Sequence, residues 1–146
     1  MKKSRLVMVG NGMAGVRSLE ELLKIAPDLY DITVFGAEPH PNYNRILLSP
    51  VLAGEQTIDE IILNDWQWYA DNHITLHTGF TVTDVDRVRR IVHATSATGE
   101  TITAEYDRLI MATGSNPFIL PIPGKELQGV LAYRDIADTQ AMIDAA

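Results

Sequence analysis

Hydrophobic positions along this chain follow two rhythms, and the change from one to the other sets out its architecture. Near the N-terminus Leu6-Val7-Met8-Val9 is apolar without interruption, so residues 5–10 read as a strand covered on both faces. Val16, Leu19, Leu22, Leu23 and Ala26 then recur at helical spacing, which predicts an amphipathic helix over 13–26 with Pro27 and Asp28 just beyond it. Residues 31–36, with Ile32-Thr33-Val34-Phe35 at their centre, read as a second strand. From 37 to 50 the chain is loop-like, with Pro39, Pro41, Asn42 and Asn44; residues 46–52 could form a short helix despite Pro50, and 57–63 fit neither template, although Asp59-Glu60 suits a helix start. Residues 65–72 read as a helix carrying Trp66, Trp68 and Tyr69, aromatics expected to pack it on a core.

The period then changes to two. Ile74-Thr75-Leu76-His77 alternates as a strand does, and β-type runs follow over 81–86, 90–95 and 100–106. Their connectors are short, Ala97-Thr98-Gly99 among them, and such close spacing predicts an antiparallel meander after the helix. Residues 108–112 form another apolar strand that stops at Thr113-Gly114, and 115–129 are a loop rich in Pro and Gly. Asp135 suits the N-cap of a last helix over 135–146, and Asp107 and Arg108 read as a solvated pair. The class is α/β: a parallel sheet built on a βαβ unit, interrupted by a small antiparallel meander before a return strand.

Composition narrows the chemistry. The 146 residues suffice for one domain with a core, and 46% hydrophobic with 21% charged residues is the balance of a globular protein. A formal charge of −7 argues against nucleic acid or an anionic membrane as partner. The absence of cysteine removes disulfides, thiolate metal sites, iron–sulfur ligands and a redox dithiol from these residues. Met1-Lys2-Lys3-Ser4-Arg5 is basic, but the apolar run behind it ends too soon for a signal peptide, and no run is long enough for a membrane span. A cytoplasmic location is expected. His40, His73, His77 and His93 are scattered, and no metal site is expected from them.

The segment Gly10-Asn11-Gly12-Met13-Ala14-Gly15 stands between the first strand and the first helix. Strand, glycine turn, helix, strand and acid in that order form the dinucleotide-binding fingerprint. Gly10 permits the tight turn, Gly12 lets a pyrophosphate approach the backbone, and Gly15 lets the helix lie close to the sheet. The helix begins near Met13, so the free amides of its first turn, at Met13 and Ala14, face the phosphates. Glu38 lies near the end of the second strand, where a carboxylate accepts both hydroxyls of an adenosine ribose and repels a 2′-phosphate. The alternative is a glycine-rich turn in an ordinary α/β domain, with Glu38 merely solvated.

Several segments together, GNGMAG, ITVFGAEP, Tyr43-Asn44-Arg45 with Leu48-Ser49, and YDRLIMATGSNP, resemble the FAD-dependent pyridine-nucleotide oxidoreductases. Within that superfamily they are most similar to the N-terminal part of the NAD(P)H-dependent nitrite reductase large subunits, and the resemblance covers essentially the whole chain. It implies a Rossmann-like FAD-binding fold in which Gly10, Gly12 and Gly15 surround the pyrophosphate and Glu38 holds the ribose. Arg45 would lie along the cofactor, Ser49 near the flavin ring, and Val82 against adenine through its backbone. Ala112, Thr113 and Gly114 would pass close to the dinucleotide. Arg45 as a surface cation, Ser49 as a helix cap and Thr113-Gly114 as a simple strand-ending turn stay open.

The resemblance further implies that 1–146 is the first portion of a discontinuous FAD domain, with an NAD domain and a return segment outside it. Siroheme and iron–sulfur ligands would also lie elsewhere, and the chain alone would carry no catalytic residue. The redox cysteine pair of disulfide reductases is missing from Tyr43–Gly54, so electrons would leave the flavin for an iron centre. Two other readings remain: a non-redox module that holds NAD or ADP, and an inactive fragment that self-associates through an exposed sheet edge.

Overall fold

The computed structural model describes residues 2–146. They form two compact units: one runs up to Tyr43 and resumes over Leu63–Gly114, the other comprises Asn44–Ile62 and Ser115–Ala146.

The first unit is built on β1 (Ser4–Val9), α1 (Met13–Ile25) and β2 (Tyr30–Gly36). The last four residues of β1 are all buried, which is why it takes a central place in the sheet. Side chains alternate across it. Leu6 and Met8 face Val16 and Leu19 of α1, together with Ile32, Val34, Tyr69 and Ile74. Val7 and Val9 face the other way, into a second core with Phe35, Val92, Ala94 and Tyr106. Burying each such side chain contributes about 1.5–3 kcal/mol, so the two faces of one strand organise most of the unit.

That second core lies under an antiparallel sheet of β4 (Phe80–Asp86), β5 (Ile91–Ser96) and β6 (Thr101–Glu105), in the order β4-β5-β6. The β5–β6 turn at 97–99 is where the sequence places it, and Gly99 takes φ +86° there. β7 (Arg108–Met111) then returns to pair in parallel with β1.

β3 (Thr75–Thr78) does not join the meander. It pairs in parallel with β2 and completes a sheet of order β3-β2-β1-β7. α3 (Trp66–Asp71) precedes it and supplies the crossover that a parallel pair requires. Only Gly79, at φ +72°, separates β3 from β4, so a sheet change is concealed in what looks like a continuous meander. Trp66 is also not a core residue, being 53% exposed, whereas Tyr69 is buried.

The expected solvated pair at Asp107 and Arg108 is replaced by a different one. Arg5 Nε and Nη2 reach the two Asp107 carboxylate oxygens at 3.2 Å each, and Arg5 Nη1 pairs with Glu105. The backbones of Arg5 and Asp107 join in as well: Arg5 N donates to Asp107 Oδ2 and Asp107 N to Arg5 O, both at 2.8 Å. This clasp fixes where β7 starts beside β1, and Arg5 holds the Asp107 carboxyl down to about 2.

In the second unit a 3₁₀ turn at Arg45–Leu47 leads into α2 (Leu48–Leu52), and a second turn spans Asp59–Ile61, resolving the ambiguous 57–63 stretch. Asn44 caps the first turn by accepting from Ile46 N at 3.0 Å. Pro50 is tolerated because it stands in the first turn of α2, where no intrahelical donor is lost. α4 (Ile136–Ala145) packs on α2 and opens with a capping box between Asp135 and Asp138.

Candidate functional site

β1, β2 and β7 run in parallel and present their carboxyl ends at one edge of the sheet. The chain leaves β1 for β2 on one side, and β7 enters on the other. The edge beyond β1 and β7 is therefore a topological switch point, the place where open α/β sheets take ligands. The glycine turn lies there. Gly10 N donates to Phe35 O at 2.8 Å, and Ala112 N donates to Val9 O at 2.8 Å, so the ends of all three strands are tied around the turn.

The three glycines of the motif are needed for different reasons. Gly10 has φ +106°, and a Cβ there would lie 2.0 Å from Ala112 O. A Cβ on Gly15 would lie 2.9 Å from both Met8 Sδ and Ala112 Cβ, so its absence lets α1 settle on β1. Gly12 is unlike either: its backbone is ordinary, at φ −90° and ψ 179°, and an added Cβ would meet nothing within 4 Å. Neither conformation nor packing requires glycine at 12.

Gly12 is also the N-cap of α1. No side chain caps that end, and its first turn carries no acid. The first helical bond runs from Val16 N to Gly12 O at 3.0 Å, so the amides of Met13, Ala14 and Gly15 precede the ladder. An uncapped helix end, a positive dipole and an empty approach at Gly12 together fit a pyrophosphate.

Glu38 follows β2 and is half-buried. Tyr43 Oη donates to its Oε1 at 2.9 Å, and Gly79 N donates to its carbonyl at 3.2 Å. Val82 is half-buried in β4, packed into the second core just before a register shift. Ala112 is half-buried, while Thr113 and Gly114 are exposed, with Gly114 at φ +67°. The structure thus brings Gly10, Gly15 and Ala112 into contact, with Gly12, Met13 and Ala14 between them in the chain and Glu38 on the neighbouring loop.

A buried polar chain passes beneath this turn. Asn11 Nδ2 donates to His40 O at 3.3 Å, and Tyr69 Oη donates to Asn11 Oδ1 at 2.7 Å. Tyr69 Oη in turn accepts from Asn42 N at 3.3 Å. Asn42 Nδ2 donates to Asn64 Oδ1 at 2.8 Å, and Asn64 Nδ2 donates to Glu20 Oε1 at 2.9 Å. The Glu20 carboxylate only accepts, which fixes the orientation of both amides and leaves Asn42 Oδ1 buried without a partner among the described residues. The Asn64 hydrogen bond lowers the Glu20 pKa, and burial pushes the Tyr69 phenol up to about 12. The sequence motifs contain Asn11 and Tyr43 but give neither a role at the site, and Tyr69 reads there only as a core aromatic. The available signal is a tyrosine at a core position, whose hydroxyl must find a partner inside.

Arg45 and Ser49 belong to the second unit. Arg45 Nη1 donates to Arg134 O at 3.2 Å and is half-buried, which excludes a bare surface cation. The Ser49 hydroxyl lies 2.9 Å from Tyr133 Oη. Ser49 does not cap α2, because the cap position falls on Leu47.

Comparison with known proteins gives concordant results. The family model described as pyridine nucleotide-disulphide oxidoreductase matches residues 4–146. A nitrite reductase [NAD(P)H] of Bacillus subtilis is 56% identical over 146 residues, covering 100% of this chain and 18% of that protein. The assimilatory nitrate reductase electron transfer subunit of the same organism is 52% identical over 146 residues, with 100% and 18% covered. The crystal structure of NADH:rubredoxin oxidoreductase from Clostridium acetobutylicum superposes with a TM-score of 0.81 at 26% identity, over 98% of this chain and 35% of that one. The chain spans about a fifth of the length of the two curated relatives.

Proposed function

This chain belongs to the pyridine nucleotide-disulphide oxidoreductase family, and on that premise we propose that it is the FAD-binding segment of an NAD(P)H-dependent reductase of the nitrite reductase type. The observation that carries the proposal is Gly12, where the fold needs no glycine but an approaching pyrophosphate does. The names of the relatives, nitrite reductase and a nitrate reductase electron transfer subunit, support the redox role and the link to nitrate assimilation.

In this reading the first-turn amides of α1 hold the pyrophosphate, and Gly10 and Gly15 set the backbone that presents them. Glu38 binds the adenosine ribose, kept in place by the Tyr43 hydroxyl. Val82 meets adenine through its backbone, and Ala112-Thr113-Gly114 pass along the dinucleotide. In the second unit, Arg45 is assigned to a phosphate or the flavin edge and Ser49 to the flavin ring, roles that rest on the family resemblance. The chemistry that bound FAD would supply is acceptance of hydride from NAD(P)H and onward transfer of electrons, to iron centres on the family resemblance. The chain's own contribution is to bind and orient it.

Gly12→Val tests this directly. The side chain meets no atom of the fold, so stability should change by no more than about 1 kcal/mol, the scale of an N-cap change. FAD binding, followed by calorimetry, should be abolished. A variant that binds FAD like the parent would refute the pyrophosphate site. Binding of ADP with no gain from the flavin half would instead favour the non-redox nucleotide module.

A further inference from the structure

The side chain of Asn11 sits in the middle of the glycine turn, yet both ends of its amide are committed to the protein. Nδ2 holds His40 O, on the loop that carries Glu38, and Oδ1 takes the hydroxyl of Tyr69 from α3. The turn is thus tied to the acid-bearing loop through one amide, whose other end is held by one buried hydroxyl. Gly36 belongs to the same arrangement, since a Cβ there would lie 2.9 Å from Asn11 Cβ. The Tyr69 ring is 2% exposed and stands edge-on to Trp68 at 5.0 Å, so it has little freedom to move.

We propose that Tyr69 is a positioning residue for the dinucleotide: through Asn11 it holds the phosphate turn and the Glu38 loop at the separation that one pyrophosphate–ribose unit must span. The inference rests on the FAD reading above. It gives a buried tyrosine on a helix remote in sequence from the glycine motif a share in ligand affinity, without contact to the ligand. The direction of the bond matters. With both Tyr69 and His40 engaged, the amide cannot turn to offer its oxygen, a competing acceptor, to a phosphate. His40 O can only accept, so the amide turns Nδ2 to it and Oδ1 to Tyr69, which makes the Tyr69 hydroxyl the donor toward Asn11.

The test uses Tyr69→Phe, which keeps the ring and removes only the hydroxyl. FAD affinity should fall roughly tenfold, the scale of one hydrogen bond. Amide hydrogen exchange of the ligand-free protein should quicken at 10–12, at Ala37, Glu38 and His40, and at Asn42, whose N–H loses the Tyr69 hydroxyl as its acceptor, and nowhere else in the first unit. Asn11→Ala, which also loses the bond to His40 O, should weaken FAD binding as well, and the double variant should lose no more than the worse single one, because the Tyr69–Asn11 bond is already gone in either. Asp65→Ala is the control: it removes the cap of the same helix, where Asp65 accepts from Trp68 N at 2.9 Å. It should lower stability and leave FAD affinity unchanged.

Equal affinity losses in Tyr69→Phe and Asp65→Ala, or an unchanged affinity in Tyr69→Phe, would overturn the proposal. A parent chain that takes up no FAD would refute the flavin reading, and the exchange comparison would still decide for or against the strut.

Discussion

Within six residues, glycine at Gly10, Gly12 and Gly15 meets three different demands, and substitution should separate them. Gly10→Ala forces a side chain into a left-handed conformation with Cβ 2.0 Å from Ala112 O. It should cost at least about 3 kcal/mol in urea unfolding, from strain and overpacking together. Gly12→Val, by contrast, should spare the fold and remove the ligand. The motif is legible in the sequence as a spacing, but the division of labour is not. It depends on what stands opposite each Cα, and Ala112 arrives from a strand about a hundred residues further along the chain. The same holds for Asn11 and Tyr69, whose partnership spans 58 positions. Ser49 is a simpler lesson: a serine before a short helix suggests a cap, but here the helix has already begun.

At the scale of elements, local periodicity located nearly every strand and helix but not their sheet membership. β3 reads as the first strand of a meander because one glycine joins it to β4, yet α3 ahead of it makes it a parallel crossover strand. The placement of β7 next to β1 is set at its start by Arg5 and Asp107, residues whose pairing no local pattern reveals. This pairing gives a pH prediction. The folded-state pKa of Asp107 is depressed from 3.8 to about 2. The clasp therefore contributes fully above the ordinary carboxylate value, and its contribution fades as pH falls toward the folded value. Asp107→Asn should be less stable than the parent at neutral pH. Between pH 3.8 and about 2 it should lose less stability on acidification, as read from urea midpoints. An identical acid profile for the two proteins would contradict the clasp.

For the whole molecule, the central claim is that these 146 residues hold FAD. It joins an uncapped helix end at a sheet switch point to family membership across residues 4–146. The most direct measurement is the visible absorption spectrum of the chain after incubation with FAD and gel filtration. The account predicts flavin bands that co-elute with the protein, one FAD per chain, and that are absent from Gly12→Val. A colourless protein, or flavin retained equally by Gly12→Val, would contradict it.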